Sequence, residues 1–82
     1  MTYRWELGHD GASASLKGVA TKYDPHGDFS VAYAEKLPWG GVQYTISMFG
    51  FGEDHDWHKV ANLEEAKALI IATLILQGVI EP

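Results

Sequence analysis

The amino-acid sequence predicts an α+β fold, in which a four-stranded antiparallel β-meander packs against one C-terminal α-helix as a two-layer sandwich. Apolar and polar residues alternate through most of residues 2–51, which is typical of half-buried strands. Short turns rich in glycine, proline and aspartate divide this region, and they favour antiparallel hairpins over parallel crossovers. After Asn62 the apolar residues recur with a helical period instead.

Four strands are predicted, over about residues 2–7, 12–23, 28–37 and 41–49. In the second, the apolar phase changes near Gly18, where we expect a β-bulge. In the third strand, alternation predicts that four side chains face the helix, those of Phe29, Val31, Tyr33 and Leu37. The outer face would then present small and polar residues, among them Ser13, Ser15, Ala32, Ala34, Gln43 and Thr45.

A loop over residues 50–61 precedes the helix, which is predicted over about residues 63–77. Asn62 and Glu65 have the spacing of a capping box, and Gly78 suits the position that ends a helix. The helix is apolar nearly all round, although its own sheet can cover only one side. The residues predicted to form an oligomer interface, and hence a homodimer, are Leu69, Ile71, Ile75 and Leu76. The alternative is that Val79, Ile80 and the turns cover them.

Composition narrows the classes of function for this single domain of 82 residues. The absence of cysteine excludes disulfides and thiolate metal sites. The net charge of −5 argues against direct nucleic-acid binding and favours attraction to a basic protein. The first residues lack the pattern of a signal peptide, and no apolar run approaches the roughly 20 residues of a membrane span. We therefore expect a cytoplasmic protein.

In a four-stranded meander, the second turn and the loop after the fourth strand lie at one end of the sheet, where we also expect the helix to start. Seven acidic residues would gather at this acidic end: Asp24, Asp28, Glu53, Asp54, Asp56, Glu64 and Glu65. Together with Trp57, and with Trp39 at the opposite end, they are the predicted partner-binding residues, since tryptophan is enriched at interface hot spots. The alternative interpretation is a solvated surface that favours solubility.

A metal site is a further alternative, because His55, His58 and His26 would lie among these carboxylates. The His-x-x-His spacing in a loop lacks the fixed geometry of zinc-binding helices, so we predict neither metal nor cofactor. None of the serines lies in a nucleophile-elbow sequence, and no glycine-rich loop joins a strand to a helix. The sequence therefore predicts a protein that is not an enzyme.

The chain resembles short proteins encoded by phages and mobile elements. The resemblance rests on small size, acidity, absence of cysteine, the predicted meander and a helix that opens with the sequence Asn62-Leu63-Glu64-Glu65-Ala66-Lys67. Among these proteins the anti-CRISPR inhibitors are similar in size and charge. The resemblance extends over the whole chain and implies an inhibitor that blocks a nucleic-acid groove or basic face of a host complex. It assigns no role to an individual residue.

Overall fold

The computed structural model describes residues 3–8, 10–20, 24–46 and 57–80. Five strands and one helix lie within them, in the order β1 (Arg4–Leu7), β2 (Ser13–Lys17), β3 (Ala32–Lys36), β4 (Val42–Ile46), β5 (His58–Val60) and α1 (Leu63–Leu76). The strands form one sheet in the order β1-β2-β3-β4-β5, and every neighbouring pair is antiparallel. The predicted α+β class, with an antiparallel sheet and a C-terminal helix, is confirmed.

The fifth strand is the main departure from the prediction, which assigned its residues to a loop. β5 pairs with β4 through Tyr44 opposite His58 and Val42 opposite Val60. A strand of three residues is too short to show an alternating pattern, so periodicity could not predict it. Its consequence is topological, because one more antiparallel strand returns the chain to the end of the sheet where β4 begins.

One face of the sheet, here called the covered face, packs against α1. The helix contacts β3, β4 and β5, and its fully buried residues are Ala66, Ile70 and Leu74. Ala32 and Ala34 of β3 are also fully buried and belong to the covered face. The predicted phase of β3 was therefore wrong. Small side chains in the middle of the sheet let the helix approach closely, and this packing outweighs the preference for burying aromatic residues.

The phase of β3 changes just before the strand begins. Val31 is buried, as predicted, and its N–H donates a 3.0 Å hydrogen bond to the carbonyl oxygen of Leu16. The next residue, Ala32, is buried as well, so Tyr33 points to the opposite face. Phe29, which was predicted to face the helix, is largely exposed.

β2 ends at Lys17, so Gly18 terminates the strand instead of forming a bulge within it. Gly18 has a φ of +84° and donates a 3.1 Å hydrogen bond to the carbonyl oxygen of Gly27. A Cβ atom on Gly27 would lie 2.8 Å from the Gly18 carbonyl carbon. Only glycine allows this close approach of two backbone segments.

α1 begins at the predicted N-cap, Asn62, and the Glu65 carboxylate binds the residue before the N-cap instead of Asn62 itself. The Asn62 side chain accepts a 2.8 Å hydrogen bond from the N–H of Glu65, whose carboxylate accepts one of 3.2 Å from the N–H of Ala61. At the other end Gly78 has a φ of +73°, and the N–H of Val79 bonds to the carbonyl oxygen of Leu74 at 2.9 Å.

Candidate functional site on the open face of the sheet

The face of the sheet opposite α1, here called the open face, carries side chains that alternate with those of the covered face. No described element packs against it. Strand register assigns ten residues to this face: Arg4, Glu6, Ser13, Ser15, Lys17, Tyr33, Glu35, Gln43, Thr45 and Lys59. Trp57, which immediately precedes β5, lies beside Tyr33 and completes the set. A sheet covered on one side only presents its other side to whatever the protein meets.

Tyr33 and Trp57 form an aromatic pair on the open face. Their ring centroids are 6.3 Å apart and their planes are inclined at 81°, which is a favourable edge-to-face arrangement. The Trp57 residue is 42% exposed, a large value for a tryptophan in contact with another ring. The two rings therefore have a defined relative geometry, and the Trp57 ring is accessible to a partner.

Glu35 is hydrogen bonded to two neutral side chains beside this pair. Its Oε1 accepts a 2.6 Å hydrogen bond from Nε2 of Gln43, and its Oε2 accepts one of 3.2 Å from the hydroxyl of Tyr33. Within the described chain no lysine or arginine forms a salt bridge with Glu35. Among the described residues the carboxylate is thus held in place by neutral donors, and it retains lone pairs for further donors.

Thr45 lies opposite Tyr33 on the adjacent strand and is only 1% exposed, although it belongs to the open face. Its Oγ1 is buried and makes no hydrogen bond in the part of the chain that the structure describes. A buried hydroxyl without a partner is costly, because it has lost its hydrogen bonds to water. We call Tyr33, Glu35, Gln43, Thr45 and Trp57 the Tyr33 cluster.

A separate ion pair occupies the β1 and β2 side of the open face. Nζ of Lys17 lies 2.8 Å from Oε2 of Glu6, and Nη2 of Arg4 lies 3.9 Å from Oε1. The hydrogen bond from Lys17 lowers the pKa of Glu6 below its usual value, and the charges of Lys17 and Arg4 act in the same direction.

The predicted acidic end is not assembled as expected. Because β5 returns the chain to the Leu37–Gly41 turn, Glu64 and Glu65 lie at the opposite end of the sheet from Asp24 and Asp28. Glu53, Asp54 and Asp56 lie outside the described residues.

Asp24 has a structural role in its turn. It is buried, and its carboxylate accepts hydrogen bonds from the backbone N–H groups of Asp28 at 3.1 Å and Phe29 at 2.8 Å. Asp28 itself is exposed. Of this pair, only the Asp28 carboxylate is therefore available on the surface.

Trp39 is 76% exposed in the turn before β4, which is the end of the sheet away from Asp24. Of the histidines proposed as metal ligands, His26 is exposed in the turn after Asp24. His58 is exposed on β5 beside the ring of Tyr44, with ring centroids 5.2 Å apart, and His55 lies outside the described residues. No group of three potential ligands occurs within the described ranges.

The four residues predicted to form an oligomer interface lie on two different flanks of α1. Leu69 and Leu76 are seven positions apart, hence on one side, and both are exposed, Leu76 by 90%. Ile71 and Ile75 are half-buried and pack against the core. They line a shallow groove of about 620 Å³ with Trp5. Ala68 and Ala72, which also line the groove, lie between these two pairs around the helix.

The sequence interpretation missed Glu35 and assigned Tyr33 to the core. A recoverable signal was the run Ala32, Tyr33, Ala34, Glu35, Lys36, because alanines facing a helix would leave tyrosine and glutamate together on the other side. The outer face was predicted to present small and polar residues, whereas it also carries the aromatic pair of Tyr33 and Trp57.

Comparison of the chain with protein-family models, with curated proteins and with solved structures gave no match. α1 and the remainder of the described chain include no helix with the length and hydropathy needed to cross a membrane.

Proposed function

We propose that this chain is a non-enzymatic protein-binding domain that presents its open face to a basic protein. The observation that carries the proposal is the Tyr33 cluster: a partly exposed tryptophan beside a tyrosine and an anchored carboxylate, on a sheet face against which no described element packs. Tryptophan and tyrosine supply large contact areas with little loss of side-chain entropy, and they dominate many interfaces.

The net charge of the whole chain supports a basic partner, and this attraction is long-range, because the open face itself carries three basic and two acidic side chains. A net charge of −5 on 82 residues speeds encounter with a positive surface and disfavours nucleic acid itself. An acidic domain seated on a basic nucleic-acid-binding surface would exclude the nucleic acid. Inhibition of such a partner is the specific role we propose, and it is the role that the resemblance to anti-CRISPR inhibitors implies.

Affinity capture from a nuclease-treated extract of the source organism tests the binding function. The wild-type chain is compared with Trp57→Ala and with Leu7→Ala, which removes a side chain from a residue that is 61% exposed on the covered face. We expect a protein that the wild type and Leu7→Ala retain, that Trp57→Ala loses, and that added salt releases. Capture of the same protein by Trp57→Ala would contradict the use of the open face. So would a partner that is lost only in a further variant, Trp39→Ala, whose substitution lies in the turn before β4.

Once a partner is purified, nucleic-acid displacement tests the inhibitory role. The domain should release a labelled oligonucleotide from the partner at the concentrations at which it binds. Simultaneous binding of both ligands would rule out direct blocking and leave the protein-binding function intact.

Self-association is a second candidate function, supported by the exposure of Leu69, Ala72 and Leu76 on one side of α1. Sedimentation velocity over a range of concentrations tests it. A sedimentation coefficient that rises with concentration, and stops rising in Leu76→Glu but not in Leu7→Glu, would support a dimer through this side. A monomer at all concentrations would remove the candidate.

A further inference from the structure

The rings of Tyr33 and Trp57 bound a corner on the open face. With planes at 81° and centroids 6.3 Å apart, a group placed in the angle between them can contact the faces of both rings. Ring faces carry negative potential, and a cation within about 6 Å of a ring centroid is attracted to it. Trp57 is 42% exposed, so a side chain of a partner can reach its ring.

The floor of the corner strengthens such an attraction. Thr45 lies on β4, between Tyr33 of β3 and Trp57, which precedes β5. It is almost completely buried. Water therefore does not reach the Thr45 side chain. A cation held against a dry aromatic surface loses less of the interaction to solvent screening than one at a fully hydrated site.

Glu35 supplies the opposite charge at the edge of this corner. Its carboxylate is linked to the hydroxyl of Tyr33, so it lies within one hydrogen bond of the ring. Gln43 holds the other oxygen at 2.6 Å. Both donors are neutral, and a carboxylate with two of its acceptor positions filled can still accept charged N–H groups. The geometry provides two aromatic faces and an anchored anion together.

Two lysines also lie on the open face, where their positive charges could oppose the binding of a cation. Lys17 is paired with Glu6 at 2.8 Å on the far side of the sheet. Lys59 lies opposite Gln43 on β5, is exposed, and forms no salt bridge with a described carboxylate. Its charge opposes a second cation nearby, so its removal should strengthen cation binding.

We propose that Tyr33, Trp57 and Glu35 form a recognition pocket for one arginine side chain of a protein partner. A planar guanidinium can stack on a ring while its N–H groups reach Glu35, which the ammonium of lysine cannot do equally well. The inference rests on the proposed binding function and specifies its chemistry. It assigns the partner's contact residue as arginine and the domain's own anchor as Glu35.

Short capped glycine-rich peptides with a single central arginine, lysine or citrulline test the pocket. Citrulline keeps the shape of arginine and lacks its charge. Binding is followed by the indole N–H signal of Trp57 in two-dimensional NMR. We expect saturable shifts with the arginine peptide, weaker binding by about three- to tenfold with lysine, and no saturable binding with citrulline.

Four variants complete the test. Glu35→Gln keeps the side-chain shape and should weaken the arginine peptide by about tenfold, and Trp57→Leu should abolish its binding. Lys59→Ala should strengthen it. Asp10→Asn also removes one negative charge, but it lies in the first turn, where its side chain accepts a hydrogen bond from Ala12, and it should change nothing. Circular dichroism verifies that each variant is folded.

Equal binding of arginine and citrulline peptides, or wild-type affinity in Glu35→Gln, would overturn the pocket. The two proposals fail separately. A partner that is lost in Trp57→Ala but kept in Glu35→Gln would refute the arginine pocket and support the binding function. If the chain binds arginine peptides but captures no protein, the pocket is supported and the proposed protein-binding function is refuted.

Discussion

Consecutive residues of β3 lie in two different environments. Ala34 is completely buried on the covered face, whereas Glu35 lies on the open face and accepts hydrogen bonds from Tyr33 and Gln43. Volume determines the first position, because only a small side chain fits beneath α1. Hydrogen bonding and exposure determine the second. Substitutions on the covered face should therefore change stability, and those on the open face should mainly change recognition.

The largest effect is expected for Ile70→Ala. Ile70 is fully buried in the middle of α1, and loss of its side chain leaves a cavity in a core that one helix closes. We expect a loss of about 2–5 kcal/mol in the free energy of unfolding, measured by urea denaturation. Leu7→Ala removes a comparable but exposed side chain and should cost less than about 0.5 kcal/mol. Similar losses for both variants would break the distinction between buried and exposed sites.

The next largest loss of stability is expected when a side chain is enlarged. The same enlargement on each face of the sheet compares the two faces directly. Ala34→Val places two extra carbons beneath α1, and we expect a loss of about 1–3 kcal/mol from overpacking. Ser15→Val makes a similar addition on the open face, where the half-buried Ser15 lies opposite Tyr33. Its effect should be within about 0.5 kcal/mol of zero. Thermal and urea unfolding measure the stability of both variants. A larger loss of stability in Ser15→Val than in Ala34→Val would contradict the difference between the two faces.

The same contrast explains how far the sequence predicted the fold. Alternation correctly assigned the two faces of β2 and β4, where Leu16 and Tyr44 are buried and Ser15 and Gln43 face outward. It failed in β3, because alternation alone gives no information about the volume available opposite each residue. The alanines of β3 are buried because of α1, which contacts the strand only after the whole chain has folded.

The start of the helix was assigned to the wrong end of the sheet for a topological reason. A pattern of single hairpins predicts which turns share an end of the sheet only if every strand is recognised, and β5 was not. One missed strand therefore moved Glu64 and Glu65 to the opposite end. Local features that depend on few residues were predicted well, such as the cap formed by Asn62 and Glu65. The Tyr33 cluster needs three strands in register, and no single segment of sequence shows it.

Thr45 provides a smaller test of the open face. Its hydroxyl is buried and lacks a partner among the described residues, so Thr45→Val should stabilise the fold by about 1 kcal/mol, because it removes an unsatisfied polar atom. Thr73→Val is the matched control. The Thr73 hydroxyl donates a 2.8 Å hydrogen bond to the carbonyl oxygen of Leu69, and we expect no gain there. Destabilisation by Thr45→Val in urea unfolding would show that the hydroxyl is hydrogen bonded after all.

The smallest effect concerns the pair of Glu6 and Lys17. The hydrogen bond from Lys17 lowers the pKa of Glu6 in the folded state, so the pair favours folding while Glu6 is charged. That contribution is complete above the unfolded-state pKa and is lost as the pH falls through the lower, folded-state pKa. NMR titration of the Glu6 carboxyl should show a midpoint below 4.5 that rises toward this usual value in Lys17→Met and at high salt.

An unchanged Glu6 midpoint in Lys17→Met would mean that the 2.8 Å contact is not maintained in solution. Stability at neutral pH should change little in either case, because exposed ion pairs contribute weakly. Glu35 differs from Glu6 in this respect. Glu6 already has a cation of its own chain, whereas the partners of Glu35 among the described residues are the neutral donors Tyr33 and Gln43, so a basic ligand should bind beside Glu35 and not beside Glu6.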